Sequence, residues 1–189
     1  MTHSTPLLCD RDHSLLLMVD LQEKLLSAME ADERVQVLGT AKRLLRAATE
    51  LDVPMLATEQ YPKGLGATVP ELKALLPAAA RGFEKTGFSC CGANGFPQAL
   101  PADRPQVVLF GIEAHVCILQ TALDLQARGR QVFVVEDGTC SRHPGHKANA
   151  LARLRQAGVT VTNSESVLFE WLRDARHESF KAVSALLKP

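Results

Sequence analysis

The chain has 189 residues, the size of one compact domain and enough to bury a substantial core. Apolar residues make up 46% and charged residues 22%, a globular composition rather than a disordered one. The 21 Lys and Arg balance the 21 Asp and Glu; without a basic excess or a basic run, neither nucleic acid nor a membrane surface is an expected partner.

The opening MTHSTPLLCDRDHS is polar and has no signal-type apolar stretch. Ser14 to Asp20 (SLLLMVD) is a short apolar run ending in an acid. It is far too short to span a bilayer and has the pattern of a strand buried on both faces. Arg34 to Leu51 sets Val37, Leu38, Ala41, Leu44, Leu45 and Ala48 in an i, i+3, i+4 stripe, which predicts a helix. Pro54 to Thr58 reads as a second strand, followed by the turn-rich EQYPKGLGA, and Pro70 opens a short helix. GFEKTGFS from Gly82 reads as a third strand and Gln106 to Ile112 as a fourth. His115 to Arg128 predicts a helix packed through Val116, Leu119, Leu123 and Ala127, with Gly129 ending it. Gln131 to Glu136 is a fifth strand, Gly145 to Gln156 a helix ended by Gly158, and Val159 to Thr162 a sixth strand. Helices over Ser164 to Leu172 and His177 to Leu187 close the chain. Strands alternating with helices predict an α/β fold, a Rossmann-like three-layer sandwich whose six-stranded parallel sheet carries helices on both faces. With no repeat and no linker, residues 1–189 read as a single domain.

In an open parallel sheet, ligands bind beyond the carboxyl ends of the strands, where strand order reverses. If the first and fourth strands are neighbours, Asp20 and the GIEAHVC turn meet there. Cys117 then lies in the first turn of a helix, where the partial positive charge lowers a thiol pKa and the N–H groups offer an oxyanion site. Asp20 facing it supplies a base for the nucleophile. Lys85, inside a short apolar strand, needs an anion if it is buried. It pairs with Asp20 and the thiolate, or with its neighbour Glu84, or lies on the surface of an edge strand. Cys117 has an equally simple reading as a small buried hydrophobe, and Asp20 as a helix N-cap.

Read together, VDLQ from Val19, ATEQYPKGLG from Ala57, FEKTGFSC from Phe83 and the long segment from Gly111 to Gly138 resemble the isochorismatase-like (cysteine) hydrolase family, in its isochorismatase-domain-containing branch. The resemblance runs in order from about Ser14 to the C-terminal helices. It implies a catalytic triad of Asp20, Lys85 and Cys117. It also implies a cis Ile112–Glu113 bond that aims N–H groups near Ala114 and Cys117 at the substrate oxygen. Metal-dependent members carry an aspartate-x-histidine motif after the second strand, where this chain has TEQYPKGLG. Members that cleave a vinyl ether lack the cysteine. The expectation is therefore a hydrolase of an amide-type C–N bond in a small molecule, acting through a Cys117 thioester without metal or cofactor. The alternative is a redox-responsive or scaffolding oligomer with Cys117 as a sensor thiol.

Gln22, Glu59, Tyr61, Phe88 and Cys90 are candidates to line the substrate pocket; His143 and His146 in HPGH offer a rival metal site. The five cysteines fit no zinc or disulfide spacing, so free thiols in a reducing cytoplasm are expected. The apolar C-terminal residues Leu168, Phe169, Trp171, Phe180, Val183, Leu186 and Leu187, with the zero net charge, point to a homo-oligomer.

Overall fold

The computed structural model describes residues 8–188; residues 1–7, half of the polar opening segment, lie outside them. In chain order the first elements are β1 (Ser14–Val19), α1 (Glu23–Ser27), α2 (Ala31–Glu50), β2 (Met55–Gln60), α3 (Pro62–Leu65), α4 (Pro70–Lys73) and β3 (Arg81–Lys85). There follow α5 (Phe96–Ala99), β4 (Gln106–Ile112), α6 (Leu119–Ala127), β5 (Gln131–Cys140), α7 (Pro144–Gln156), β6 (Thr160–Thr162), α8 (Ser164–Leu172) and α9 (Phe180–Ala185).

The two most continuously apolar runs become the centre of the sheet. Every residue of β1 and of β4 is buried, as befits parallel strands covered on both faces. All pairings between the six strands are parallel, in the order β3-β2-β1-β4-β5-β6. The chain runs outward from β1 to β3, then returns to place β4 beside β1. The strand order therefore reverses between β1 and β4, as the placement of the site required.

The period-2 alternation of the strands divides the core in two. Leu16 and Met18 of β1 join Val108, Phe110 and Phe133 under α2, α8 and α9, while Leu15, Leu17 and Val19 join Val107, Leu109 and Val134 under α6 and α7. On the first face the only tryptophan, Trp171, is buried and donates from Nε1 to Ser14 Oγ at 3.0 Å, which ties α8 to the start of β1.

Gly111 is set by close approach. Its φ is 126°, and a Cβ there would lie 2.0 Å from the Val19 carbonyl oxygen, so no side chain fits between β4 and the end of β1. The β4–β5 register slips at this point, between Leu109 and Gly111.

Three expectations are corrected. The helix predicted from His115 begins instead as a π turn, Ala114–Ile118, before α6. Of the residues expected on its packed face, Leu119 is buried and Val116 and Leu123 pack partly against the core, while Ala127 is exposed and Ile118, Ala122 and Leu125 are buried as well. The fifth strand runs on to Cys140. The C-terminal apolar residues do not need a partner to cover them: Leu168, Trp171 and Val183 are buried, Phe180, Leu186 and Leu187 pack against the core, and Phe169 alone is largely exposed.

Candidate active site

Asp20 follows β1 directly, in a left-handed backbone conformation with φ 54°. Its N–H donates to the Thr58 carbonyl at 3.1 Å, and its own carbonyl accepts from the Gln22 N–H at 2.8 Å. It caps no helix, since Gln22 occupies the position before α1. Parallel pairing sets Val19 opposite Thr58 and Gln60 opposite Lys85, so side chains from β1, β2 and β3 meet at the carboxyl edge.

The Asp20 carboxylate is wholly buried and held from two sides. Thr58 Oγ1 donates to Oδ1 at 2.7 Å, and Lys85 Nζ donates to Oδ2 at 2.7 Å. Lys85 lies on an edge strand, yet its side chain points inward, and its partner is Asp20 rather than the exposed Glu84. Its ammonium also donates to Gln60 Oε1 at 2.6 Å and to the Phe88 carbonyl at 3.0 Å, and it stands 3.5 Å from Cys117 Sγ. A buried ion pair is tolerable only when further hydrogen bonds satisfy both partners, and these do. Among the described residues, no buried side-chain nitrogen or oxygen lacks a partner. Burial alone would pull the Lys85 pKa down; the charges of Asp20 and Cys117 outweigh it and hold the group above its ordinary value.

Cys117 lies in the π turn, on the β4 side of the same point. Its thiol is not acidified as the helix position suggested. Burial pushes it up, the Asp20 charge adds to that, and Lys85 offsets only part, leaving it at about 12. The resting group is the thiol, raised in part by the charge of the nearby Asp20 carboxylate. The other four cysteines are also free, buried and raised, Cys90 to about 11 and Cys140 to about 12.

The Ile112–Glu113 peptide bond, just before the π turn, is cis. The Glu113 carbonyl accepts from the N–H groups of Val116 and Ile118 at 3.1 and 3.2 Å. Its carboxylate receives Arg142 through Nε at 3.1 Å, Nη2 at 2.8 Å and the backbone N–H at 3.1 Å. Burial alone would raise the Glu113 pKa, but those bonds lower it, so the carboxylate stays ionised and ties the end of β5 to the turn.

The pocket candidates separate. Tyr61 is exposed and lines a cleft of about 360 Å³ with Lys85, Thr86 and Asn94. Phe88 is exposed, and its carbonyl is what reaches Lys85. Glu59 is corrected: strand alternation turns it away from Thr58 and Gln60, and its carboxylate accepts from the Thr68 N–H and hydroxyl. Gln22 is corrected as well. It is buried, its amide nitrogen donates to the carbonyls of Gln60 and Gly66, and its amide oxygen accepts from the Gln60 N–H. Cys90 is wholly buried behind Asp20, with its Sγ 3.6 Å from Thr58 Oγ1, and offers no surface to a ligand. His146 meets His143 edge-on and His115 at a tilt, at ring separations of 5.0 and 4.7 Å. Among the described residues, no group of three or more His, Cys, Asp or Glu side chains is placed to hold a metal ion. No helix among them is long and apolar enough to cross a membrane.

Sequence reasoning did not find Thr58, Gln60 or Arg142. The strand register, which sets Val19 against Thr58, was the signal for the first two.

A family profile described as Isochorismatase domain matches residues 14–166. Isochorismatase domain-containing protein 2A of Mus musculus is 43% identical over 177 residues, which cover 94% of this chain and 84% of the mouse protein. The solved structure of MAR1 ribonuclease from Caenorhabditis elegans superposes with a TM-score of 0.88 at 39% identity, covering 95% of this chain and 91% of that one. The ycaC gene product of Escherichia coli, described as an octameric hydrolase of unknown specificity, superposes with a TM-score of 0.87 at 27% identity, covering 97% and 91% of the two chains. With the profile spanning most of its length and a relative 43% identical along nearly all of it, this chain belongs to the isochorismatase domain family.

Proposed function

We propose that the protein is a cysteine-dependent hydrolase that cleaves an amide-type C–N bond of a small molecule. The observation that carries this reading is the meeting of Asp20, Lys85 and Cys117 in one buried, fully hydrogen-bonded cluster at the β1–β4 switch point. Asp20 and Cys117 both meet the Lys85 ammonium, so the thiol has a base close by and a raised resting pKa does not prevent attack. Asp20 takes the thiol proton as sulfur adds to the substrate carbonyl. The backbone N–H groups of Ala114 and Cys117, in the first turn after Glu113, hold the oxyanion. Asp20 then protonates the leaving nitrogen as the C–N bond breaks, leaving a Cys117 thioester. Water, deprotonated by Asp20, adds to the thioester; the acid leaves, and the thiol regains its proton. Lys85 stays charged throughout, beside whichever of Asp20 and Cys117 carries the negative charge. Tyr61 and Phe88 border the approach to the substrate. The E. coli relative is described as a hydrolase, in keeping with this reading.

The test is a screen of primary amides and carbamoyl compounds, with Cys117→Ala beside the parent protein. Turnover should fall by several orders of magnitude in the variant. Equal turnover in both, or none by either, would sink the proposal. The C. elegans relative is described as a ribonuclease, which gives RNA cleavage as a second reading. The zero net charge provides little attraction for a polyanion. Cleavage of a labelled RNA that is lost in Asp20→Asn would decide for it. Reversible oxidation of Cys117 without turnover of any amide would instead favour the alternative of a sensor thiol.

A further inference from the structure

We propose that Gln60 is a positioning residue that holds the Lys85 ammonium between Asp20 and Cys117 while adding no charge to the site. The inference rests on the reading of those three residues as the catalytic set.

Lys85 has three N–H bonds to give, and the Gln60 amide oxygen takes one at 2.6 Å, the shortest contact the ammonium makes. The amide cannot turn over and offer its nitrogen instead, because Gln60 Nε2 is committed to the Thr86 carbonyl at 2.7 Å. The backbone beneath it is fixed in turn: Gln22, in the stretch after β1, clamps both the N–H and the carbonyl of Gln60 at 2.7 and 3.0 Å. Two buried glutamines thus connect the end of β1 to the Lys85 ammonium through fully paired amides.

Neutrality is the second half of the argument. With the thiol protonated, the buried cluster holds one carboxylate and one ammonium. After the proton crosses to Asp20, it holds one thiolate and the same ammonium. The transfer moves a negative charge from one side of Lys85 to the other and leaves the sum unchanged, so it demands little new solvation of these buried groups. Of the neutral acceptors around Lys85, the Gln60 amide oxygen at 2.6 Å is nearer than the Phe88 and Gly87 carbonyls at 3.0 and 3.4 Å, and a carboxylate in its place would compete with the thiolate for the one cation. An amide supplies the acceptor without the competition.

The experiment compares Gln60→Glu and Gln60→Met with the parent protein. The readout is the rate of Cys117 alkylation by chloroacetamide, a neutral probe, measured across pH with peptide mapping and with circular dichroism to confirm the fold. Gln60→Glu keeps the acceptor and adds charge, so the thiolate should be harder to form by about one pH unit, seen as alkylation about tenfold slower at a given pH. Gln60→Met removes the acceptor. It should slow alkylation by less and, on any amide substrate found, lower kcat by about 10- to 100-fold with KM little changed. Parent-like alkylation in both folded variants, or Gln60→Glu no slower than Gln60→Met, overturns the inference. If Gln60→Glu does not fold, Gln60→Met decides alone through its alkylation rate. Alkylation needs no substrate. A parent protein that hydrolyses no amide would overturn the proposed function while leaving this profile to be read on its own terms.

Discussion

Replacing Lys85 by Met removes a charge from a place where every neighbour was arranged around it. Asp20 would keep the Thr58 hydroxyl but lose its counter-ion, and the Gln60 amide and Phe88 carbonyl would lose their donor. Removing one partner of a buried pair typically costs about 3–5 kcal/mol, so the variant should be folded but measurably less stable in denaturant. Turnover should drop by about 100-fold or more, the scale of lost electrostatic stabilisation at a reacting centre. A variant with parent-like stability and turnover would mean that the buried Lys85 charge neither holds the cluster together nor assists the reaction. At this scale the local patterns of strand end, apolar strand and helix start left Asp20, Lys85 and Cys117 each with a plainer reading, and it was the family resemblance that singled the three out together. Their electrostatics were not legible. Position alone suggested an acidic thiol, but burial and the adjacent carboxylate act more strongly than a partial helix charge and raise it. Thr58, Gln60 and Arg142 were invisible for another reason, since a hydrogen-bond partner across strands depends on register, which no single segment encodes.

Among the elements, β4 has the least freedom, because Gly111 lets it lie against the Val19 carbonyl immediately before the cis bond and the π turn. Gly111→Ala would press a methyl group into backbone rather than into a yielding side chain. The expected result is a loss of more than about 3 kcal/mol, from a mechanism in the small class that produces large single-residue effects. It would be measured as a fall in denaturation midpoint or as failure to accumulate folded protein. An unchanged midpoint would mean that the β1–β4 contact is softer than its geometry implies. All six strands and their parallel pairing followed from apolar runs alternating with helical stripes. The exception was the turn holding Cys117: π and α turns share the same residue types, so the pattern gave a helix but not its winding, and of the expected packed face only Ala127 is turned to solvent.

For the whole molecule, association is proposed on grounds other than the apolar C-terminal residues. The C-terminal helices bury their own apolar side chains, so they do not call for a second copy. Support comes instead from zero net charge, which gives no self-repulsion, and from the E. coli relative described as octameric. The outer strands are poor docking edges: β6 has three residues, and β3 presents exposed Arg81 and Glu84. Association is therefore expected through loops and helix faces. Light scattering should return a mass that is a multiple of the 20.5 kDa chain, and a single-chain mass would refute it.

The bond from Trp171 to Ser14 gives the protein a built-in optical probe with a defined blind spot. As the only indole in the chain, its emission reports one event, the undocking of α8 from the start of β1. The proposed thiol chemistry lies at the other end of that strand, six residues and about 20 Å away. Fluorescence and Cys117 labelling therefore watch opposite ends of one central strand. Local opening at the catalytic edge should speed labelling while the emission stays constant, whereas unfolding through the central sheet must change both together.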